Sequence, residues 1–381
     1  MAAVLTIWLA GCLHSPADGP LKIDVFRSGS EGYNTFRIPA IVRATNGTLL
    51  AFAEGRKNSA SDTGDIDLVL KRSENGGRNW GPLYVVADDG ANTAGNPTPI
   101  VDWTTGKILL LTTHNSGRVT ETQVRRGEVS DRRVFLQESA DNGATWTRPR
   151  EITGQTKRAD WRCYATGPVH GIQLERGAHA GRLVAPCDHT TTRSTDWSAC
   201  GAHLIYSDDH GATWHIGADG SPGNGRINPN ECAAVELTEG WIYVVARNQN
   251  GRAPGNRAFA SSRDGGATFE APFAIAAALV SPVVQASVLR YSALDQGGRT
   301  NRILFSAPAD PSQRRRMTVR TSFDETRTWT SGRVIDEGPS AYSDMVKLSD
   351  GQVGLLYECG VRSPYERIAF VAFSTEFLDE P

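Results

Sequence analysis

Three arginines, a tyrosine and three carboxylates in this 381-residue chain suit acid–base and nucleophilic chemistry on an anionic ligand. Arg37, Arg247 and Arg314 are the arginines. Guanidiniums brought to one spot repel unless a carboxylate ligand, a dianion or a buried carboxylate compensates them. Glu358 is placed to compensate Arg37. A phenol titrates near about 10, so Tyr342 can act as a nucleophile only beside a base, and Glu231 is the carboxylate available to take its proton. Asp62 lies in Ser59-Ala-Ser-Asp62-Thr-Gly64, a small-residue segment that suits a general acid moving onto a leaving group. Taken singly, each has a plainer reading: a surface ion pair, an exposed turn, a hydrogen-bonded core phenol. Only a fold that gathers them on one face turns the set into a site.

That fold is announced by a repeat. The turns Ser139-Ala-Asp141-Asn-Gly143-Ala-Thr145-Trp146 and Ser207-Asp-Asp209-His-Gly211-Ala-Thr213-Trp214 are clean copies of one pattern, and Ser262 to Phe269 changes only its last aromatic. Two eroded copies run from Ser73 to Trp80 and from Ser322 to Trp329, giving Ser-to-Ser spacings of 66, 68, 55 and 60. The Asp can accept bonds from its own loop, the Gly relaxes the backbone, and the aromatic fills the gap between sheets. Such Asp boxes have a structural role and leave activity open. A unit of about 60 residues that buries its faces only against its neighbours implies an all-β propeller.

Gly47, Gly106, Gly240 and Gly351 each separate two apolar, β-branched runs as hairpin turns do, and Gly181 and Gly297-Gly298 do so in longer loops. The layout is six blades of four antiparallel strands. The first has strands at 38–43, 49–54, 66–73 and 83–87. The next four span about 98–152, 171–216, 232–275 and 287–336, and the sixth has strands at 343–347, 353–358 and 368–373. A leftover strand at 22–27 can supply the missing fourth and close the ring. First-strand starts, second-strand ends and the loops that follow then share one face, where Arg37, Asp62, Glu231, Arg247, Arg314, Tyr342 and Glu358 all fall.

Composition narrows the partners. Forty basic and 42 acidic residues leave a net charge of −2, which favours neither nucleic acid nor an anionic membrane surface. No apolar run approaches the roughly 20 residues of a spanning helix. Residues 1–21 read as a leader and tail ahead of one catalytic domain at 22–381. Leu9-Ala10-Gly11-Cys12 is similar to a lipobox, although no Lys or Arg precedes Cys12 as a signal peptide requires. Export is expected, with a lipid anchor on Cys12 as one form of it. Cys163, Cys187, Cys200, Cys232 and Cys359 have no metal-ligand spacing and are expected as buried thiols, with a Cys187–Cys200 disulfide as the alternative.

Phe36-Arg37-Ile38-Pro39 ahead of the first Asp box resembles the FRIP motif of bacterial exo-α-sialidases, and the likeness runs from about Val25 to Phe373. Glu54-Gly-Arg56 with Ser61-Asp62, Asn230-Glu231-Cys232 with Arg247-Asn248, Ala341-Tyr342-Ser343 and Leu356-Tyr357-Glu358 resemble further segments of that family. The resemblance implies that Arg37, Arg247 and Arg314 grip the sialate carboxylate, that Tyr342 is the nucleophile and Glu231 its base, and that Asp62 is acid then base. It also implies that Arg56 contacts the sugar and that Glu358 orients Arg37. Arg314 is preferred over Arg315 and Arg316 because it precedes a segment similar to the family's third strand. Asn96, Tyr164 and Asp188-His189 are expected to line the pocket.

A sialic acid carries its carboxylate on the anomeric carbon, which would repel an Asp or Glu nucleophile, whereas a neutral Tyr avoids that repulsion. The implied activity is retaining exo-α-sialidase action on sialylated glycoproteins, glycolipids or oligosaccharides, by a monomer without metal or cofactor. Transfer to an acceptor sugar, preference for deaminated sialic acid (Kdn) and a non-catalytic glycan-binding propeller are the alternatives.

Overall fold

A computed structural model describes residues 20, 22–191, 199–221, 223–250 and 255–380. The Cys12 segment lies outside them. Strand pairing makes a succession of four-stranded antiparallel ladders. The first joins Thr35–Arg43, Leu49–Arg56, Ile66–Ser73 and Tyr84–Ala87. The second joins Thr93–Val101, Ile108–Asn115, Arg133–Ser139 and Arg150–Glu151. The third joins Trp161–Thr166, Leu183–Thr191, Cys200–Ser207 and His215–Asp219. The fourth joins Pro229–Glu236, Ile242–Asn248, Asn256–Ser262 and Ala274–Val280.

In the fifth, Ser287–Ser292, Arg302–Pro308 and Arg315–Ser322 are completed by the first half of Arg333–Lys347. The second half of that strand opens the sixth ladder, with Val353–Cys359, Arg367–Phe373 and finally Lys22–Arg27. The N-terminal strand pairs Lys22 with Val371 and Arg27 with Arg367, so the first strand of the described chain closes the last sheet. Joining the ends of the chain within one sheet removes an edge that would otherwise recruit other strands.

The core is divided. Six apolar clusters each lie between two successive ladders, from Phe52 and Leu110 between the first and second to Phe26 and Phe370 between the sixth and first. No ladder can bury both faces alone, which is why the unit repeats. The Ser-to-aromatic turns hold these sheets in step. Ser139 Oγ and Thr145 Oγ1 donate to Asp141 at 2.8 and 2.6 Å, and the Thr145 N–H adds a bond of 2.8 Å. These bonds hold the Asp141 carboxyl down at about 2, the Thr145 hydroxyl contributing most. Trp146 then meets Phe52 edge-on at 5.8 Å across the gap between ladders.

Two boundaries differ from the expectation. The third ladder starts at Trp161, not near 171, because Ile172–Gln173 is only a second short pairing on the same edge of Leu183–Thr191. Gly167-Pro168 stands between the two pieces, and Pro168 has no N–H for the ladder. The fifth and sixth units also share one 15-residue strand, where the sequence suggested a break between 336 and 343. The five cysteines of the described chain are buried free thiols.

Candidate active site

The side chains of the set converge on one end of the inner strands because those strands are bulged there. Register shifts lie between Arg37 and Ala40, Gly95 and Thr98, Pro229 and Cys232, and Ser340 and Ser343. A bulge adds a residue to one strand and re-aims its side chain. Each of these four holds a residue of the set or its neighbour: Arg37, Asn96, Glu231 and Tyr342. Ile38 and Asn96 take φ of 60° and 54°. For a β-branched residue that backbone is strained and persists only where its surroundings over-determine it. The Ile38 N–H is held by Glu358 Oε1 at 2.9 Å.

Tyr342 is the centre. Its hydroxyl donates to Glu231 Oε1 at 2.5 Å, and Arg247 Nη1 reaches both the hydroxyl at 3.1 Å and Glu231 Oε2 at 2.7 Å. The Arg37 and Arg314 guanidiniums stand 5.3 and 5.6 Å from the Tyr342 ring centroid. Burial, then the charge of Glu231, pushes the phenol well above its ordinary value, although the three arginines pull the other way. The phenol is therefore neutral at rest, with its proton already directed at a carboxylate.

The arginines are held separately. Glu358, wholly buried, takes Arg37 Nε at 2.6 Å on Oε1 and the Tyr342 N–H at 3.1 Å on Oε2. One carboxylate thus ties the first arginine to the backbone of the tyrosine. Burial works to lower the Arg37 pKa, but the charge of Glu358 and the hydrogen bond to it outweigh this, and the guanidinium stays charged. Arg314 donates to the Tyr365 hydroxyl at 2.7 Å and the Val283 carbonyl at 2.9 Å. Arg315 and Arg316 instead turn out to Asp310 and Glu337, each at 3.1 Å. Of the three consecutive arginines, only Arg314 joins the cluster.

A second group faces it. Glu54 is buried and receives Arg56 Nε at 3.1 Å, Arg56 Nη2 at 2.6 Å and the Asn96 N–H at 3.0 Å. Arg56 Nη1 in turn contacts Asp62 at 2.7 Å, leaving that side chain 73% exposed. Partial burial would raise the Asp62 pKa, but Arg56, and next Arg37, outweigh it and hold the carboxyl below its ordinary value. Asp62 is thus a tethered but open group whose proton affinity depends on the cations around it.

Two expectations about the pocket wall are corrected. Tyr164 lies in the apolar cluster between the second and third ladders, 1% exposed, with its hydroxyl 3.2 Å from His203 Nε2. His189 stacks on Trp161 at 3.7 Å in the same core. Both follow from the earlier start of the third ladder, which makes Trp161–Thr166 an inner strand with its aromatics turned into the sheet interface. Asp188 is buried, accepts from Asn230 Nδ2 at 2.6 Å, and has its pKa raised by burial and then by the charge of Glu231. Tyr365 and Glu54 are additions. Tyr365 sits in a hydrophilic loop with no periodic signal, whereas the Glu54-Gly-Arg56 spacing, which puts two side chains on one face of a strand, could have paired Glu54 with Arg56.

The other mouth of the ring holds a cavity of about 320 Å³, lined by Arg43, Trp103, Arg176, Arg290 and Tyr291 among others, with none of the set. Among the described residues no group of three His, Cys, Asp or Glu is arranged to hold a metal ion, and no helix is long and apolar enough to cross a membrane.

Comparison with known proteins places this geometry. A BNR repeat-like domain model matches residues 47–355. The chain is 33% identical over 370 residues to a sialidase of Micromonospora viridifaciens, covering 94% of this chain and 55% of that protein. It therefore spans little more than half of that relative. It is 34% identical to an exo-alpha-sialidase of Aspergillus fumigatus, covering 86% of this chain and 79% of that one. Among solved structures, the Hadza microbial sialidase Hz136 superposes with a TM-score of 0.81 at 28% identity, covering 94% of this chain and 69% of that one. The ladders form a β-propeller, and the chain belongs to the sialidase family.

Proposed function

We propose that this chain is a retaining exo-α-sialidase that releases terminal sialic acids through a sialyl-tyrosine intermediate, with its six ladders acting as six blades. The observation that carries the reading is the Tyr342 hydroxyl directed at Glu231 at 2.5 Å among three guanidiniums. Arg37, Arg247 and Arg314 bind the sialate carboxylate, two of them from positions that Glu358 and Glu231 already fix. Tyr342 attacks the anomeric carbon as Glu231 takes its proton, while Asp62 protonates the leaving oxygen. Arg56, paired with Asp62, and Asn96, tied to Arg56 through Glu54, meet the ring on the acid's side. Water deprotonated by Asp62 then breaks the tyrosyl bond as the proton on Glu231 returns to the phenolate, and the configuration is retained.

The purified protein should hydrolyse α2,3-, α2,6- or Kdn-linked fluorogenic glycosides, with the α anomer as first product by NMR. Tyr342→Phe keeps the ring and removes the attacking oxygen, so turnover should fall at least ~100-fold with folding intact. Near-normal turnover in that variant would sink the nucleophile assignment. Product analysis in the presence of lactose separates hydrolysis from transfer to an acceptor sugar.

A further inference from the structure

Residues 281–286, between the fourth and fifth ladders, carry no titrating group and belong to no motif, yet they pack behind Tyr342. Val284 shares a buried apolar cluster with Ile38, Ala341 and Tyr342. The Val284 carbonyl accepts from Arg257 Nη1, and the Val283 carbonyl accepts from Arg314 Nη2 at 2.9 Å. Gln285, fully buried, binds the residue that follows the tyrosine. Its Oε1 accepts the Ser343 N–H at 3.0 Å, and its Nε2 donates to the Ser343 carbonyl at 3.0 Å and to the Ala286 carbonyl at 3.0 Å.

The inner strand of a ladder has a neighbour on one side only, and its second row of N–H and C=O groups must find partners elsewhere. At Ser343 that partner is a side-chain amide whose donor and acceptor match the two backbone groups. Glu358 holds the Tyr342 N–H at 3.1 Å, so three backbone groups of Tyr342 and Ser343, at the Ser340–Ser343 bulge, are bound by side chains. A bulge without such fixing has no unique aim, whereas the phenol here must stay on Glu231.

We propose that Gln285 is a positioning residue for Tyr342, its amide clamp on Ser343 setting the attack geometry of the phenol. The proposal rests on the reading of Tyr342 as the nucleophile.

Two variants test it. Gln285→Met keeps length and removes both kinds of hydrogen bond, and Gln285→Glu keeps the acceptor for the Ser343 N–H. The rate of covalent inactivation by 2,3-difluorosialic acid reports tyrosine attack directly. In that step the tyrosyl oxygen bonds the anomeric carbon, fluoride leaves with the electron pair, and Glu231 takes the phenol proton. Inhibition by 2,3-didehydrosialic acid reports binding by the arginines without attack. Inactivation should slow roughly 10- to 100-fold in Gln285→Met, as sub-ångström to 1 Å misplacement of a reacting group does, and less in Gln285→Glu. The inhibition constant should change less than about threefold.

Inactivation within about threefold of the parent in both folded variants would overturn the proposal. A parallel loss of inhibitor binding would overturn it too, since Gln285 would then support the whole pocket. If the Met variant does not fold, the Glu variant decides, and failure of both assigns Gln285 to the fold alone. Tyr342→Phe is run alongside. If that variant is still inactivated, the nucleophile reading fails, whatever Gln285 does.

Discussion

Replacing Asp62 with Asn should separate proton donation from every other task of the site. The side chain is 73% exposed, and among the described residues it pairs with Arg56 at 2.7 Å. A surface substitution of this kind changes stability by about 0.5 kcal/mol or less. Arg37, Arg247 and Arg314 keep their partners, so binding of the sialate carboxylate should be preserved. What is lost is a positioned acid, whose contribution is roughly 100- to 10,000-fold, or about 2.7–5.5 kcal/mol of barrier at 1.36 kcal/mol per tenfold. That loss applies only where the departing oxygen needs a proton. Sialyl-lactose leaves as a basic alkoxide, whereas a nitrophenyl or methylumbelliferyl sialoside leaves as a stable phenolate. kcat for sialyl-lactose should therefore fall at least ~100-fold, with the aryl substrates losing less than about tenfold in their first, bond-breaking step. Stopped-flow measurement of the aryl burst isolates that step from the later water attack, which Asp62 also serves. Equal losses on both substrates in that step would refute the assignment and make Asp62 a group that positions the loop.

Other consequences can be measured on the same protein. Lys variants at Arg314, Arg315 and Arg316 should be unequal, Arg314→Lys alone weakening both binding and turnover, because only that guanidinium reaches Tyr365 and Val283 and an ammonium lacks its planar fork. Glu358→Gln leaves Arg37 buried without its counter-charge, so it should cost about 3–5 kcal/mol, seen as a lower thermal midpoint, and should abolish most turnover through Arg37 and the Tyr342 backbone together. For the turn at Asp141 the folded pKa, about 2, lies below the ordinary aspartate value of 3.8. Its contribution is present above pH ~4 and is lost as pH falls through the folded value, so Asp141→Asn should lose less thermal stability between pH 4 and 2 than the parent does.

The repeated turns and the glycine hairpins placed most of the strands, though not Trp161–Thr166, because a short-range pattern of Asp, Gly and aromatic is satisfied within its own loop and needs no tertiary partner. The spare strand Lys22–Arg27 was legible for a related reason: a unit one strand short exposes an edge, and a leftover run at the N-terminal side of the first blade could cover it. Residue type likewise pointed to Arg37, Glu231, Arg247 and Tyr342, whose chemistry constrains what can stand beside them. Likeness to a family segment favoured Arg314 over Arg315 and Arg316, but only tertiary structure showed it reaching Tyr365 and Val283 while its two neighbours turn out to Asp310 and Glu337. The same holds for Tyr164, which sequence assigned to the pocket and packing assigned to the core. It holds most of all for Glu54 and Gln285, whose roles depend on hydrogen bonds at 2.6–3.1 Å. Some of their partners are close in sequence and others are 42 or 58 residues away, at bulges that the hydrophobic pattern does not mark. A bulge shifts the facing of a strand by one residue without altering its composition, so its position is set by packing across the ring and not by the local sequence.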